Sequence, residues 1–169
     1  MLFRTTDNRF KTTVSWGCWL VLLSLFKPVM AANKVDVDLV GKTTKVALHS
    51  QFDDFANSYF NYIPSDDEVK AAKTLPQDVH IDVYFATWCH DSQREVPRLL
   101  KIFNDHGHQI NLIALDRHKS DPLGLAESHQ VKYTPTIIMY AKEKELGRII
   151  EVPNKSLSED LLEFWQVSQ

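Results

Sequence analysis

The sequence predicts an α/β domain in which strands alternate with helices, so that most of the sheet is parallel and both of its faces are covered. Three observations predict it. Residues 79–85 alternate apolar and polar side chains, as a strand does. Residues 92–105 then repeat apolar side chains at the spacing of an amphipathic helix. Two later apolar segments, 136–141 and 147–152, predict a hairpin that adds an antiparallel edge.

The beginning of the chain differs in kind from the rest. Arg4, Arg9 and Lys11 precede an apolar run over residues 14–26, which small side chains follow. This run is short for crossing about 30 Å of hydrocarbon, which takes roughly 20 residues. A basic start, a short apolar run and small residues after it are typical of a secretory signal peptide.

We therefore expect residues 1–31 to be a signal peptide and residues 32–169 to be an exported domain, periplasmic or secreted. The alternative is an uncleaved membrane anchor that leaves the domain outside the cytoplasm. Cleavage would remove Cys18 and leave Cys89 as the only thiol. Cys89 would then be free, joined to a small thiol or paired with another protein, because a lone cysteine excludes a disulfide within the chain.

Composition sets the remaining limits. The chain has 169 residues, 44% hydrophobic and 24% charged, with a net charge of −3, which suits one globular domain. Since no basic patch interleaves with aromatic side chains, a nucleic-acid partner is not expected.

The elements before the central strand are predicted by spacing and by capping. One strand is expected within residues 35–40. Residues 51–62 carry aromatic side chains at helical spacing and predict a core-facing helix. Ser65 and Glu68 form the Ser-x-x-Glu pattern of a capping box, which opens a second short helix.

The elements after the central strand follow the same reasoning. The helix over 92–105 is expected to end near Gly107, with His106 and His108 capping its end. A strand over 110–115, a short helix over 123–129, a hairpin loop over 142–146 and a final helix opened by the capping box Ser156 to Glu159 complete the domain.

Cys89 is the candidate nucleophile. It follows the strand at 79–85 and begins the next helix, where unpaired backbone N–H groups and the positive end of the helix dipole favour the thiolate. A protonated His90 would add to this effect, whereas Asp91 would oppose it. Arg94 and Arg98 are expected to be solvated. The alternative for a lone cysteine is an inert, buried side chain.

Three segments resemble the thioredoxin superfamily in order and spacing. Phe85-Ala86-Thr87-Trp88-Cys89 closes a strand, Pro97 lies five residues after Ser92, and Tyr133-Thr134-Pro135-Thr136 opens the hairpin. The resemblance covers residues 79–165 well and the N-terminal third loosely. It implies a thioredoxin fold, with a central mixed β-sheet flanked by helices on both faces.

The resemblance also implies roles for individual residues. Pro135 would be preceded by a cis peptide bond and would lie beside the reactive sulfur, while Thr134 would offer backbone groups to an incoming peptide. Ser92 could donate a hydrogen bond to the thiolate. The candidate catalytic residues are Cys89 and Ser92, and the candidate substrate-binding residues are Trp88, His90, Thr134 and Pro135.

Two positions depart from the thioredoxin pattern. Ser92 stands where thioredoxins carry the resolving cysteine, and Val83 stands where they carry a buried carboxylate. Asp82 is adjacent in sequence, but its side chain should point to the opposite face of the strand. The resemblance therefore does not imply the usual dithiol cycle.

The function expected from these residues is thiol–disulfide exchange through a single cysteine, as an oxidoreductase or isomerase that forms mixed disulfides. Its partners would be client proteins with disulfides or thiols, and a small thiol or a reductase could donate electrons. A membrane partner is expected only if the N-terminal segment is uncleaved. The alternative is a redox-silent binding or chaperone module. No metal site or cofactor is expected, because no metal-ligand spacing stands out among the histidines and Cys89.

Overall fold

The computed structural model describes residues 38–169. The expectations of a signal peptide over residues 1–31 and of its cleavage lie outside these residues, as does most of the strand expected within 35–40. Within the described part of the chain, no helix combines the length and the apolar character needed to cross a bilayer.

Residues 38–169 form six α-helices and five strands. In chain order they are β1 (Gly41–Thr43), α1 (Lys45–Gln51), α2 (Asp53–Asn61), α3 (Asp66–Thr74), β2 (Val79–Phe85), α4 (His90–Ile102), a 3₁₀ turn (Asn104–His106), β3 (Gln109–Ala114), α5 (Leu125–Ser128), β4 (Thr136–Ala141), β5 (Lys144–Ile150) and α6 (Leu157–Val167).

The five strands form one mixed sheet in the order β1-β3-β2-β4-β5. Among the described strands only β2 and β3 pair in parallel, and the other three pairs are antiparallel. The expectation of a mostly parallel sheet was therefore wrong, whereas the mixed sheet of the thioredoxin fold is confirmed. The strand β4 runs opposite to β2, and β1 adds a second antiparallel edge beside β3.

Alternation along the strands builds a core on each face of the sheet. Val83 and Phe85 of β2 face the larger cluster, which packs against the long helices, while Tyr84 faces the smaller one. Ala126 of α5 covers this second face. The core-lining helix residues of the larger cluster are Leu48, Phe55, Tyr59, Ala72, Val96, Leu99, Leu100, Ile102, Leu157 and Leu161.

The structure corrects the N-terminal elements. Residues 38–40 are not a strand, and β1 begins at Gly41. The helix predicted over 51–62 corresponds to α2, and a separate helix, α1, precedes it, because the chain turns to extended backbone at Phe52 between the two. Helix α1 was missed because only Leu48 among its seven residues is buried, so it has no apolar stripe. The capping box of Ser65 and Glu68 is confirmed in both directions.

The hairpin between β4 and β5 is tighter than expected. Strand β5 begins at Lys144 rather than at 147, and the turn consists of Lys142 and Glu143, with φ of 48° and 63°. A two-residue hairpin loop of this left-handed form matches the twist of the strands and usually carries Asn or Gly. Since this turn has neither residue, its sequence did not indicate it.

The two histidines after α4 cap different helices. His106 donates from Nδ1 to the Ile102 carbonyl, 2.7 Å away, which confirms the expected cap of α4. His108 instead donates from Nε2 to the Ala72 carbonyl in α3, at 2.9 Å. The expectation for His108 was wrong because Gly107, with φ of 92°, turns the chain away from α4.

Asp105 ties the N-terminal helices to the end of α4. The Tyr59 hydroxyl donates to its Oδ2 at 2.6 Å, and the Lys45 ammonium donates to its Oδ1 at 2.9 Å. Burial alone would raise the pKa of Asp105, but the hydrogen bonds from Tyr59 and Lys45 more than offset this and lower the pKa. The ionised carboxylate is therefore the form that the fold stabilises.

We expect Asp105→Asn to weaken the dependence of stability on acid pH. The stabilisation from a carboxylate with a lowered pKa is present above its ordinary value of about 3.9 and is lost as the pH falls through the folded value. Urea unfolding at pH 7, 5 and 3 should show a loss of about 1 kcal/mol for the variant at pH 7 and a smaller further loss at pH 3 than in the wild type. The exposed Asp78→Asn is the control. Equal pH slopes for wild type and Asp105→Asn would contradict this account.

Candidate active site

Cys89 occupies the N-cap position of α4. Its backbone is extended, with φ of −94° and ψ of 121°, and its carbonyl accepts the first helical hydrogen bond, from the Gln93 N–H at 3.0 Å. A short turn fixes this position, because the Cys89 N–H donates to the Ala86 carbonyl just after β2. The thiol is free and partly exposed. It therefore lies at the end of the helix where backbone N–H groups are unpaired.

The loop before β4 lies against the thiol. The Cys89 thiol donates to the Thr134 carbonyl oxygen, which is 3.0 Å from Sγ, and the Thr134–Pro135 peptide bond is cis. These two segments meet because Tyr84 of β2 pairs with Thr136 of β4, so that the end of one strand adjoins the start of the other. Cys89, Thr134 and Pro135 thus lie together at one edge of the sheet.

Ser92 lies in the interior one turn after Cys89. Its side chain is 0% exposed, and its Oγ accepts a hydrogen bond from the Ala86 N–H at 3.3 Å. The same backbone turn therefore holds both candidate catalytic residues. Because the Ser92 oxygen acts as the acceptor for Ala86, the hydroxyl hydrogen is left to donate to another group.

On strand β2, which leads into the site, no carboxylate side chain points into the larger core cluster. Val83 is fully buried in that cluster, whereas Asp82 faces the other side and accepts a hydrogen bond from the Asn111 amide at 2.6 Å. This arrangement confirms that Asp82 points away from the face that holds Val83. Asp82 cannot replace the carboxylate that thioredoxins carry at the position of Val83.

Trp88 is held by residues that the sequence did not indicate. The Arg117 guanidinium lies over its ring, 5.6 Å from the centroid, and Arg117 also pairs with Asp38 at 3.1 Å. Asp38 in turn accepts a hydrogen bond from Thr87 at 3.4 Å. The contact between Trp88 and Arg117 could have been predicted from the strand order. Because β2 and β3 are parallel, the segments that follow them, with Trp88 and Arg117, leave the sheet at the same edge.

His90 is exposed and opens into a groove between α2 and α4, which we call the α2–α4 groove. Its volume is about 530 Å³. The lining residues are Asp54, Asn57, Ser58, Asn61, Tyr62, His90, Gln93, Arg94 and Arg98.

Arg94 and Arg98 of this groove were expected to be solvated, but both contact carboxylates. Glu95 is 3% exposed and accepts from Arg94 Nε at 2.6 Å, with Arg98 Nη1 at 3.5 Å. Arg94 also pairs with Asp91 at 2.8 Å. The sequence did not predict this cluster of Glu95, Arg94 and Arg98, because a glutamate among charged residues in the first turns of a helix is usually exposed to solvent. Within residues 38–169, no group of three or more His, Cys, Asp or Glu side chains is arranged to hold a metal ion.

A mixed sheet with a cysteine at the start of the helix after β2, facing a cis-proline loop, defines the thioredoxin class of fold. The thioredoxin family model matches residues 66–163, which is more than half of the chain. The chain therefore belongs to the thioredoxin family.

Comparison with known structures agrees on the fold. A protein of unknown function from Pseudomonas aeruginosa is 15% identical, with a TM-score of 0.52 over 69% of this chain and 84% of that one. An HIV epitope scaffold is 16% identical, with a TM-score of 0.51 over 75% of this chain and 84% of that one. No curated protein matches the sequence.

Proposed function

We propose that this protein is an exported thiol–disulfide oxidoreductase or isomerase that works through Cys89 alone. Members of the thioredoxin family act on substrates with thiols or disulfides. The observation that carries the proposal is the position of Cys89: a partly exposed thiol at the N-cap of α4, with Sγ 3.0 Å from the Thr134 carbonyl. Helix N-termini favour thiolates, and the thiolate is the nucleophile in disulfide exchange.

The first chemical step joins Cys89 to the client. The Cys89 thiolate attacks one sulfur of a client disulfide, a new S–S bond forms between Cys89 and that sulfur, and the other client sulfur leaves as a thiolate. Electrons balance within this exchange, since one disulfide is broken and one is formed. Ser92 supports the attacking form, because its free hydroxyl hydrogen could be donated to a thiolate.

The second step requires a thiol from outside the active site, because residue 92 is serine. If the client's own thiolate attacks the mixed disulfide, Cys89 is released and the client has exchanged one disulfide for another. If small thiols attack, one frees the client thiolate and a second regenerates Cys89, so that two small thiols become a disulfide and the client disulfide becomes two thiols. A protein reductase could supply the attacking thiols in place of the small thiol.

The Thr134 carbonyl would change partners during the reaction. In the free protein it accepts the Cys89 thiol hydrogen. A sulfur in a mixed disulfide carries no hydrogen, so the carbonyl becomes free to accept a backbone N–H of the client. Pro135, which follows it, and Trp88, which precedes Cys89, would form the walls that contact the client chain.

Export is part of the proposal and rests on the sequence. The basic residues Arg4, Arg9 and Lys11 and the apolar run over 14–26 favour a signal peptide over residues 1–31, with an uncleaved anchor as the other arrangement. Intact mass of the protein recovered from outside the cytoplasm should correspond to a chain that begins at residue 32. A mass that includes residues 1–31 would support the anchor.

Trapping the mixed disulfide tests the proposed chemistry. The reduced protein is mixed with a peptide that contains one internal disulfide, quenched with acid and measured by intact mass. We expect a 1:1 covalent adduct on Cys89 and no adduct with Cys89→Ser, which preserves the size of the side chain. A wild-type protein that forms no adduct, while Cys89→Ser retains full function in the host, would favour a redox-silent binding module.

A further inference from the structure

The α2–α4 groove begins at His90, the residue that follows the reactive cysteine in the chain. His90, which follows Cys89 directly, forms one part of its wall, and Gln93, Arg94 and Arg98 continue the wall along α4. The opposite wall is α2, which lies before the residues 66–163 that the family model matches. One wall of the groove therefore lies outside the part of the chain that the family model matches.

The side chains of the groove suit a polar, extended peptide. Three carboxamides, from Asn57, Asn61 and Gln93, line it, and each of these groups can donate to a peptide carbonyl and accept from a peptide N–H. The charged residues of the wall are Asp54 on α2 and Arg94 and Arg98 on α4. Because Asp91 and Glu95 already pair with these arginines, a carboxylate ligand would be bound by guanidinium donors that are still free rather than by an excess of positive charge.

Of the two arginines, Arg98 has more N–H donors that are not already used in ion pairs. Arg94 forms two short ion pairs, to Asp91 at 2.8 Å and to Glu95 at 2.6 Å. Arg98 forms one contact of 3.5 Å to Glu95, which leaves most of its five N–H donors for a ligand. A carboxylate that enters the groove would therefore bind Arg98.

The Arg98 guanidinium is also held in place before a ligand arrives. Its Cζ lies 5.2 Å from the centroid of the Tyr62 ring. The Tyr62 hydroxyl donates to Glu68 Oε1 at 2.6 Å, and Glu68 is fixed by its capping box with Ser65. Holding the guanidinium lowers the entropy lost when it binds a carboxylate.

Distances along α4 set the spacing of the carboxylate. Arg98 lies eight residues after His90, which is about 12 Å along a helix that rises about 1.5 Å per residue. An extended peptide covers about 3.3 Å per residue, so this distance corresponds to about four residues. We propose that the α2–α4 groove selects client segments that carry Asp or Glu about four residues from the reacting cysteine, with Arg98 binding the carboxylate. This inference rests on the proposed function, since it names the substrate class of the same site.

Rates of reaction with matched peptides test the inference. Each peptide carries one cysteine, activated as a mixed disulfide with thionitrobenzoate, and Glu, Gln or Lys four residues before or after it. Release of the coloured thiol gives the second-order rate constant for the reduced, full chain. We expect the Glu peptide to react about three- to fivefold faster than the Gln peptide in one of the two orientations, as for one partly exposed ion pair, and the difference to shrink in high salt.

Substitutions assign the selectivity to Arg98. The ratio of Glu to Gln rates should fall to about one in Arg98→Gln, and Arg98→Glu should prefer the Lys peptide, because the charge at the contact is reversed. A ratio taken within one variant is independent of how much of that variant is folded. Lys155→Gln is the control, since it removes one positive charge just before α6, where Lys155 pairs with Glu163 outside the groove, and it should keep the wild-type ratio.

The outcomes separate this inference from the proposed function. Equal rates for Glu and Gln peptides in the wild type, with Cys89 still reacting, would overturn the inference and leave the proposed function intact. Selectivity that persists in Arg98→Gln would overturn the assignment to this groove. Failure of Cys89 to react with any peptide would overturn the proposed function and this inference with it.

Discussion

Ser92→Cys is expected to convert the protein from one that accumulates mixed disulfides into one that releases its clients. Ser92 follows Cys89 by three residues, with Cys89 at the N-cap of α4, so the two side chains occupy neighbouring positions on one helix face. A cysteine at position 92 would attack the mixed disulfide on Cys89, free the client thiolate and leave a disulfide between residues 89 and 92. Intramolecular attack can be equivalent to an external thiol at about 10⁵ M or more, so release should be faster by several orders of magnitude.

The measurement is the amount of covalent client adduct that survives acid quenching, by intact mass, in wild type and variant. Ser92→Ala is the matched control, because it adds no thiol and should keep the adduct. It removes the acceptor of the buried Ala86 N–H, and this loss should cost about 1 to 3 kcal/mol of unfolding free energy. Adduct that persists in Ser92→Cys as in the wild type would show that sulfurs at 89 and 92 do not meet, contrary to the site described above.

Phe55→Ala is expected to cause the largest loss of stability among the substitutions considered. Phe55 is 0% exposed and attaches α2 to the core, where its ring lies 5.7 Å from that of Phe85, the last residue of β2 before the active-site turn. Truncating a buried phenylalanine removes its contacts and leaves a cavity, which costs about 3 to 5 kcal/mol. Since α2 forms one wall of the α2–α4 groove, the variant should also lose the peptide selectivity proposed for Arg98.

Phe60→Ala provides the control on the same helix, because Phe60 is 71% exposed. Its free energy of unfolding in urea should change by no more than about 0.5 kcal/mol. Losses of similar size for Phe55→Ala and Phe60→Ala would mean that α2 is not anchored in the core through Phe55.

The parts of the fold that could be predicted from the sequence are those in which several local signals agree. Strand β2 alternates strictly, α3 has both halves of its capping box, and the two segments that meet at the thiol, around Cys89 and around Pro135, carry the spacing of the thioredoxin family. In each case the deciding interactions lie within one element or between neighbouring strands.

The parts that could not be predicted depend on contacts between distant residues or on unusual backbone. Helix α1 buries one side chain and has no stripe, and the turn at Lys142 and Glu143 adopts left-handed backbone without glycine. The ion pair between Asp38 and Arg117 joins residues far apart in the chain. Glu95 is buried and pairs with Arg94 and Arg98, although its place in the helix is that of an ordinary surface residue. Periodicity carries no information about such contacts.

The most direct test of the account is a single-turnover release experiment on the wild-type protein. The adduct is formed from reduced Cys89 and a peptide whose single cysteine is activated as a mixed disulfide with thionitrobenzoate, which leaves as the free thiolate. The adduct is then freed of excess peptide and followed by acid quench and intact mass, with and without an added small thiol. The account predicts that the adduct is stable alone and that the added thiol releases the peptide and regenerates Cys89. Release at the same rate without any added thiol, or a Cys89 that never forms the adduct, would contradict it.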